Sequence, residues 1–130
     1  MANSDDQPLV EFRNVTYSIP NAPAPIISNL NLKVERGEIL VLLGESGCGK
    51  TTTLKLVNRL YSPSAGDVFV EGKSTRDWDP ILLRKHIGYV IQEGGLFPHF
   101  TISRNVGLVP SLSGWDAQRI KARVNELLEM

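Results

Sequence analysis

The sequence is poor in the residues that most often announce chemistry. Cys48 is the only cysteine in 130 residues, which excludes an internal disulfide and any multi-cysteine zinc site. His86 and His99 are the only histidines, and they have no metal-ligand spacing. No apolar run approaches the ~18 residues that a membrane-spanning helix needs. Fourteen basic residues balance fourteen acidic ones, so no basic excess points to nucleic acid or anionic lipid. The first eight residues, Met-Ala-Asn-Ser-Asp-Asp-Gln-Pro, are acidic and polar, unlike a signal peptide; they are expected to form a disordered tail on a cytoplasmic chain. No Asp-Glu dipeptide occurs anywhere. With 42% hydrophobic residues the chain can pack a core, as one small domain or as part of a larger one.

What the sequence does have is Gly44-Glu45-Ser46-Gly47-Cys48-Gly49-Lys50-Thr51, placed directly after the apolar run Ile39-Leu40-Val41-Leu42-Leu43. A short apolar run reads as a buried strand, and Leu54, Leu56, Val57 and Leu60 supply the apolar face of a helix starting near Gly49. Strand, glycine-rich loop and helix are the parts of a P-loop. The glycines let successive N–H groups point at one spot, and the helix turns its positive dipole end to the same spot, so an anion of phosphate size fits there. Lys50 can reach the β/γ-phosphates, and the Thr51 hydroxyl can coordinate the bridging Mg²⁺. A nucleotide's phosphates with Mg²⁺ are therefore the expected ligands. A dinucleotide fingerprint fits less well, because the position three residues after Gly49 is Thr52.

The rest of the chain arranges itself around this loop. Residues 9–17, with Val10, Phe12, Val15 and Tyr17, predict an antiparallel strand with a bulge at Asn14, and alternation resumes over residues 26–34. Residues 67–72 predict a strand ending in a turn. Asp79-Pro80 has the form of an N-cap followed by a first-turn proline, predicting a short helix to about His86. Residues 87–91 form a second mostly apolar run, expected as another interior strand, which ends at Gln92. Ser113 and Asp116 have capping-box spacing before a helix whose core stripe is Ala117, Ile120, Val124, Leu127 and Leu128. That helix stops at Met130 without a C-cap glycine, the pattern of a chain cut inside a domain.

With the P-loop, Gln92 and Leu96-Phe97-Pro98-His99 in view, nearly the whole chain resembles the nucleotide-binding subunit of an ABC transporter. Gln92-Glu-Gly-Gly-Leu-Phe-Pro-His99, with Leu108-Val-Pro110 and Gly114-Trp115, is similar to the importers of glycine betaine, choline and related quaternary amines. The resemblance implies an α/β P-loop NTPase of ABC type: antiparallel strands and the P-loop core over residues 9–92, then the Q-loop and the start of a helical subdomain over residues 93–130. It also implies that Tyr17 stacks on adenine, although a strand aromatic can equally be core. Thr52 would contact the α-phosphate, and Gln92 would sense Mg²⁺ and the attacking water. Lys50 and Gln92 are then the catalytic candidates of the chain, and Thr51 and Gln92 the metal contacts.

The implied partners are membrane-spanning permease subunits, docked through residues 92–100, and a second copy of the domain; the implied position is peripheral, on the inner face of the membrane. Cys48 departs from the small hydroxyl residue usual at its position. Leu112-Ser113-Gly114 imitates the family signature, but Trp115 would obstruct it, and His99 is not the family's switch histidine. After Gln92 the only acids are Glu93, Asp116, Glu126 and Glu129, so Walker B, with the glutamate that orients water, is missing together with the signature, D-loop and switch histidine. The expectation is a chain that binds MgATP without hydrolysing it, within a transport ATPase. Kinases and GTPases fit the early antiparallel strands poorly. A soluble ABC protein of repair or translation, and a non-hydrolysing nucleotide-binding module, are the other readings.

Overall fold

The computed structural model describes residues 7–130; the first six residues of the expected tail lie outside the described residues. The elements are β1 (Val10–Tyr17), β2 (Ile27–Val34), α1 (Lys50–Val57), β3 (Ala65–Val70), β4 (Lys73–Ser74), α2 (Pro80–His86), α3 (Ile102–Leu112) and α4 (Ala117–Glu129). The chain forms two compact units that divide between Ile87 and Gly88.

In the first unit the strands make one antiparallel sheet in the order β2-β1-β3-β4. The apolar positions of β1 change parity along the strand, from Val10 and Phe12 to Val15 and Tyr17, and side chains alternate faces in a regular strand. The bulge resolves the mismatch. Register shifts on both sides of β1 between Phe12 and Val15, and Asn14 takes a positive φ of 50°. Asn31 fastens it: its Oδ1 accepts from Asn14 N–H at 2.9 Å and its amide donates to Asn14 Oδ1 at 3.1 Å. Phe12 and Val15 thus both enter the core, with Ile27, Val68 and Leu56 of α1.

On the opposite face Glu11 lies beneath Arg13 and Lys33, its carboxylate 2.6 Å and 3.5 Å from their nitrogens. The Arg13 hydrogen bond, helped by the charges of Arg13 and Lys33, holds the Glu11 carboxyl below the usual carboxylate range against the opposing effect of burial. Asp79 caps α2 as expected, its Oδ1 accepting from the N–H groups of Ile81 and Leu82 at 2.9 Å with Pro80 in the first turn. Arg84 of α2 donates to the carbonyls of Asn58 and Arg59, tying α2 to the end of α1. The turn at Glu71 and Gly72 leads into β4, a short return strand beyond the expected one.

Two expected strands do not form. Residues 39–43 and 87–91 join no sheet among the described residues, and Ile39, Leu43 and Val90 are 90%, 88% and 94% exposed. An interior strand is stable only with neighbours on both edges and cover on both faces, and no described residues supply these.

The second unit is a pair of helices preceded by an irregular segment. Helix α3 was not expected; Thr101 caps it by accepting from Arg104 N–H at 3.2 Å, and Pro110 lies within its last turn. The capping-box reading of Ser113 and Asp116 is corrected. Ser113 ends α3, while Asp116 caps α4 by accepting from Arg119 N–H at 2.9 Å. Between them, Trp115 N–H donates to Pro110 O at 3.1 Å and Gly114 N–H to Ser111 O at 3.0 Å, with Gly114 at φ 77°. This is a Schellman helix stop. It accounts for the Ser113-Gly114 pair without a signature role. Gly107 is buried where the helices meet, and a methyl group there would lie 2.9 Å from Ile120. Of the α4 stripe Val124 is buried, whereas Leu127 and Leu128 are exposed.

Candidate phosphate-binding site

Residues 44–49 cross from the exposed 39–43 segment to the first turn of α1 with no regular structure. Gly47 and Gly49 have φ values of 86° and 102°, a region that L side chains rarely adopt. Gly49 is the N-cap of α1 and contributes no side-chain acceptor, and the first turn holds no acidic residue. Among the described residues no side chain at the cap accepts from the leading amides of α1, at the positive end of the helix dipole. Gly49 also packs closely: a Cβ there would lie 3.3 Å from Ile27 Cγ1 and 3.4 Å from Ile26 O. Thr53 fixes the start of the helix from below, its N–H and Oγ1 donating to Gly49 O at 2.8 Å and 3.0 Å.

Lys50 spans the loop. Its ammonium donates to Gly44 O and Glu45 O, both at 2.7 Å, and lies 3.5 Å from Cys48 Sγ. The cation is thus held at the loop by two carbonyl dipoles. Cys48 folds across the loop, so that a Cβ on Gly44 would lie 2.5 Å from its sulfur. Glu45, Ser46 and Thr51 are exposed and Thr52 is half-buried, one residue further along the first turn. Among the described residues no trio of His, Cys, Asp or Glu could hold a metal by itself. The exposed Thr51 hydroxyl is an oxygen donor of the kind that magnesium takes when most of its other ligands are phosphate oxygens and water.

Tyr17 is linked to the same corner. Its carbonyl accepts from Ile26 N–H at 2.8 Å and its register partner is Ile27, the two residues against which Gly49 packs. Its ring stacks on Tyr61, with centroids 5.1 Å apart and planes 8° from parallel, and Lys55 Nζ lies 5.1 Å from the Tyr61 ring. Tyr61 follows α1 and carried no motif; only the fold reveals that it backs Tyr17. Gln92 belongs to the second unit, where it is exposed in the irregular segment before the 96–100 loop.

A glycine-lined loop, a capless helix start and a lysine folded over them define a P-loop nucleotide-binding module. The profile of the ABC transporter family matches residues 27–130. The osmoprotectant import ATP-binding protein OsmV of Salmonella typhimurium is 53% identical over 94% of this chain, and the choline transport ATP-binding protein OpuBA of Bacillus subtilis is 53% identical over 80% of it. The chain spans 33% and 27% of the lengths of these two relatives. Among solved structures, the dimeric ATP-binding cassette MJ0796 bound to ADP and Pi superposes with a TM-score of 0.80 at 29% identity, covering 92% of this chain and 56% of that one. The chain belongs to the ABC transporter family, and its fold is that of an ABC-type P-loop NTPase.

Proposed function

We propose that this chain is the MgATP-binding part of an importer ATPase, and that the solute imported by the whole protein is a quaternary-amine osmoprotectant such as glycine betaine or choline. The observation that carries the nucleotide reading is Lys50, anchored over a capless helix start by two loop carbonyls. The solute reading is supported by the names of the 53%-identical relatives. On this reading the amides of residues 47–52 and Lys50 hold the phosphates, Thr52 touches the α-phosphate, and Tyr17 offers adenine the ring face that Tyr61 does not cover. Thr51 and Gln92 would hold magnesium, which would supply positive charge to neutralise the phosphates. These residues position and neutralise; none is a base for the attacking water, so the 130-residue chain binds nucleotide without turnover. Residues 39–43 and 87–91 become strands when further chain completes the sheet.

In the whole protein, a second copy of the cassette closes over the nucleotide, and residues 92–100 dock on membrane-spanning permease subunits at the inner face of the membrane. Leu96 and Phe97 support this, standing 66% and 47% exposed in the loop that follows Gln92. No helix among the described residues is long and apolar enough to cross a membrane. The test is uptake by vesicles carrying the full-length protein with its membrane subunits. ATP-dependent accumulation of glycine betaine or choline, lost with Lys50→Ala, is expected. Co-purification without any membrane subunit would favour a soluble ABC ATPase instead.

A further inference from the structure

We propose that Asn105 is the positioning residue that holds the 96–100 loop in the shape in which it meets its membrane partner, and so governs how ATP turnover is coupled to transport. The inference rests on the docking role proposed above for that loop. Within the loop one backbone hydrogen bond forms, Phe100 N–H donating to Phe97 O at 3.0 Å. Leu96 and Phe97 project outward, and residues 92–101 have no regular structure.

One side chain gathers the loop from the first turn of α3. Asn105 Oδ1 accepts from Phe97 N–H at 2.8 Å, and the two hydrogens of its amide nitrogen are shared among the carbonyls of Phe97, Phe100 and Thr101, which lie 3.2, 3.4 and 3.1 Å away. The backbone of Asn105 continues the same anchor, donating to Thr101 O at 3.0 Å. Closed in this way, the loop stacks its own aromatics: Phe97 lies 5.1 Å from Phe100, His99 lies 4.5 Å from Phe100, and the Arg104 guanidinium sits 3.8 Å above the Phe100 ring. The consequence is a rigid platform that displays Leu96 and Phe97 where a floppy loop would bury or scatter them.

The chemistry is specific to asparagine. The site needs an acceptor and donors within one short planar group. Aspartate keeps the acceptor for Phe97 N–H but sets a negative charge against three carbonyl oxygens, and alanine removes every contact. A variant that changes only charge and proton count, at constant size, therefore separates the hydrogen-bonding role from packing.

The experiment uses the full-length protein reconstituted with its membrane subunits, as wild type, Asn105→Ala, Asn105→Asp and Phe97→Ala. Three quantities are measured: amide exchange over residues 96–101 by mass spectrometry, ATP hydrolysis by the soluble subunit alone, and solute transported per ATP in vesicles. Both Asn105 variants should speed exchange in the loop by about tenfold, the scale of losing a satisfied hydrogen-bond anchor. Hydrolysis by the free subunit should be unchanged, while transport per ATP falls to the level of Phe97→Ala. Unchanged exchange in both variants would overturn the assignment to Asn105. Faster exchange with full transport would instead overturn the docking role of the loop, and the inference with it. A fall in hydrolysis matching the fall in transport would show general structural damage, and would also overturn it.

Discussion

Replacing Gly49 with alanine sets two opposing effects against each other at the residue on which the phosphate loop turns into α1. Where the backbone suits any residue, Gly→Ala stabilises a protein by about 0.4–1 kcal/mol, because the unfolded chain loses freedom. Here the backbone does not suit it. Gly49 has φ 102°, where a Cβ costs about 1–3 kcal/mol. The added carbon would also lie 3.3 Å from Ile27 Cγ1 and 3.4 Å from Ile26 O; the isoleucine methylene can shift, but the carbonyl belongs to a hydrogen-bonded strand end. Strain outweighs the entropic gain, and the net expectation is a destabilisation of about 1–2 kcal/mol. For a unit of this size each kcal/mol moves the thermal midpoint by about 4–8 °C. Thermal unfolding followed by circular dichroism should therefore show the variant melting lower by roughly that amount per kcal/mol, with weaker nucleotide binding because the leading amides shift. A midpoint equal to or above the wild type would refute the left-handed geometry at Gly49 and the loop built on it.

Cys48 Sγ lies 3.5 Å from Lys50 Nζ and against Gly44, so saturating MgATP should slow its alkylation; an unchanged rate would remove Cys48 from the phosphate loop. The Glu11 carboxyl is held low by Arg13 in the folded state, so the folded chain binds fewer protons than the unfolded one and stability rises with pH. That contribution is complete above the ordinary carboxylate pKa of about 4.3 and is lost as pH falls below it, and Glu11→Gln should flatten the denaturant midpoint in this acid range. A Tyr61→Ala change removes the ring behind Tyr17 and should weaken adenine nucleotides more than inorganic triphosphate, measured by competition. Equal weakening of both would mean that Tyr61 acts on the fold alone.

How far the sequence could be read depended on whether the deciding interaction was local. The Asp79-Pro80 cap, the Asn14 bulge and the glycine spacing of the phosphate loop are settled within a few residues, and all three are present in the structure. The apolar runs at residues 39–43 and 87–91 are different. An unbroken apolar run reports cover on two faces, which only distant chain can give, so neither run pairs among the described residues. Helix α3 was hidden by Pro110, which reads as a breaker; the proline forfeits its own N–H bond, but the helix runs only to Leu112, two residues further. Ser113 and Asp116 matched a capping box by spacing alone, when the Gly114 turn already ends one helix and Asp116 begins the next. Tyr61 carried no signal because its partner, Tyr17, is distant in sequence; the partners of Asn105 are close in sequence, but no motif marks an asparagine that closes a loop. The phosphate loop was legible because the glycines that shape its backbone, Gly44, Gly47 and Gly49, lie within six residues of one another.

Phosphate binding at Lys50 and the start of α1 is read out by calorimetric titration of MgATP into the purified chain and its Lys50→Ala variant. Lys50 is the cation that the loop holds in place, and hydrogen bonds to charged groups contribute about 1.5–3 kcal/mol. The account predicts measurable binding to the wild type, weakened about ten- to a hundredfold in the variant, with phosphate release from both at background. Equal affinity for the two chains, or turnover by the wild type well above Lys50→Ala, would contradict it.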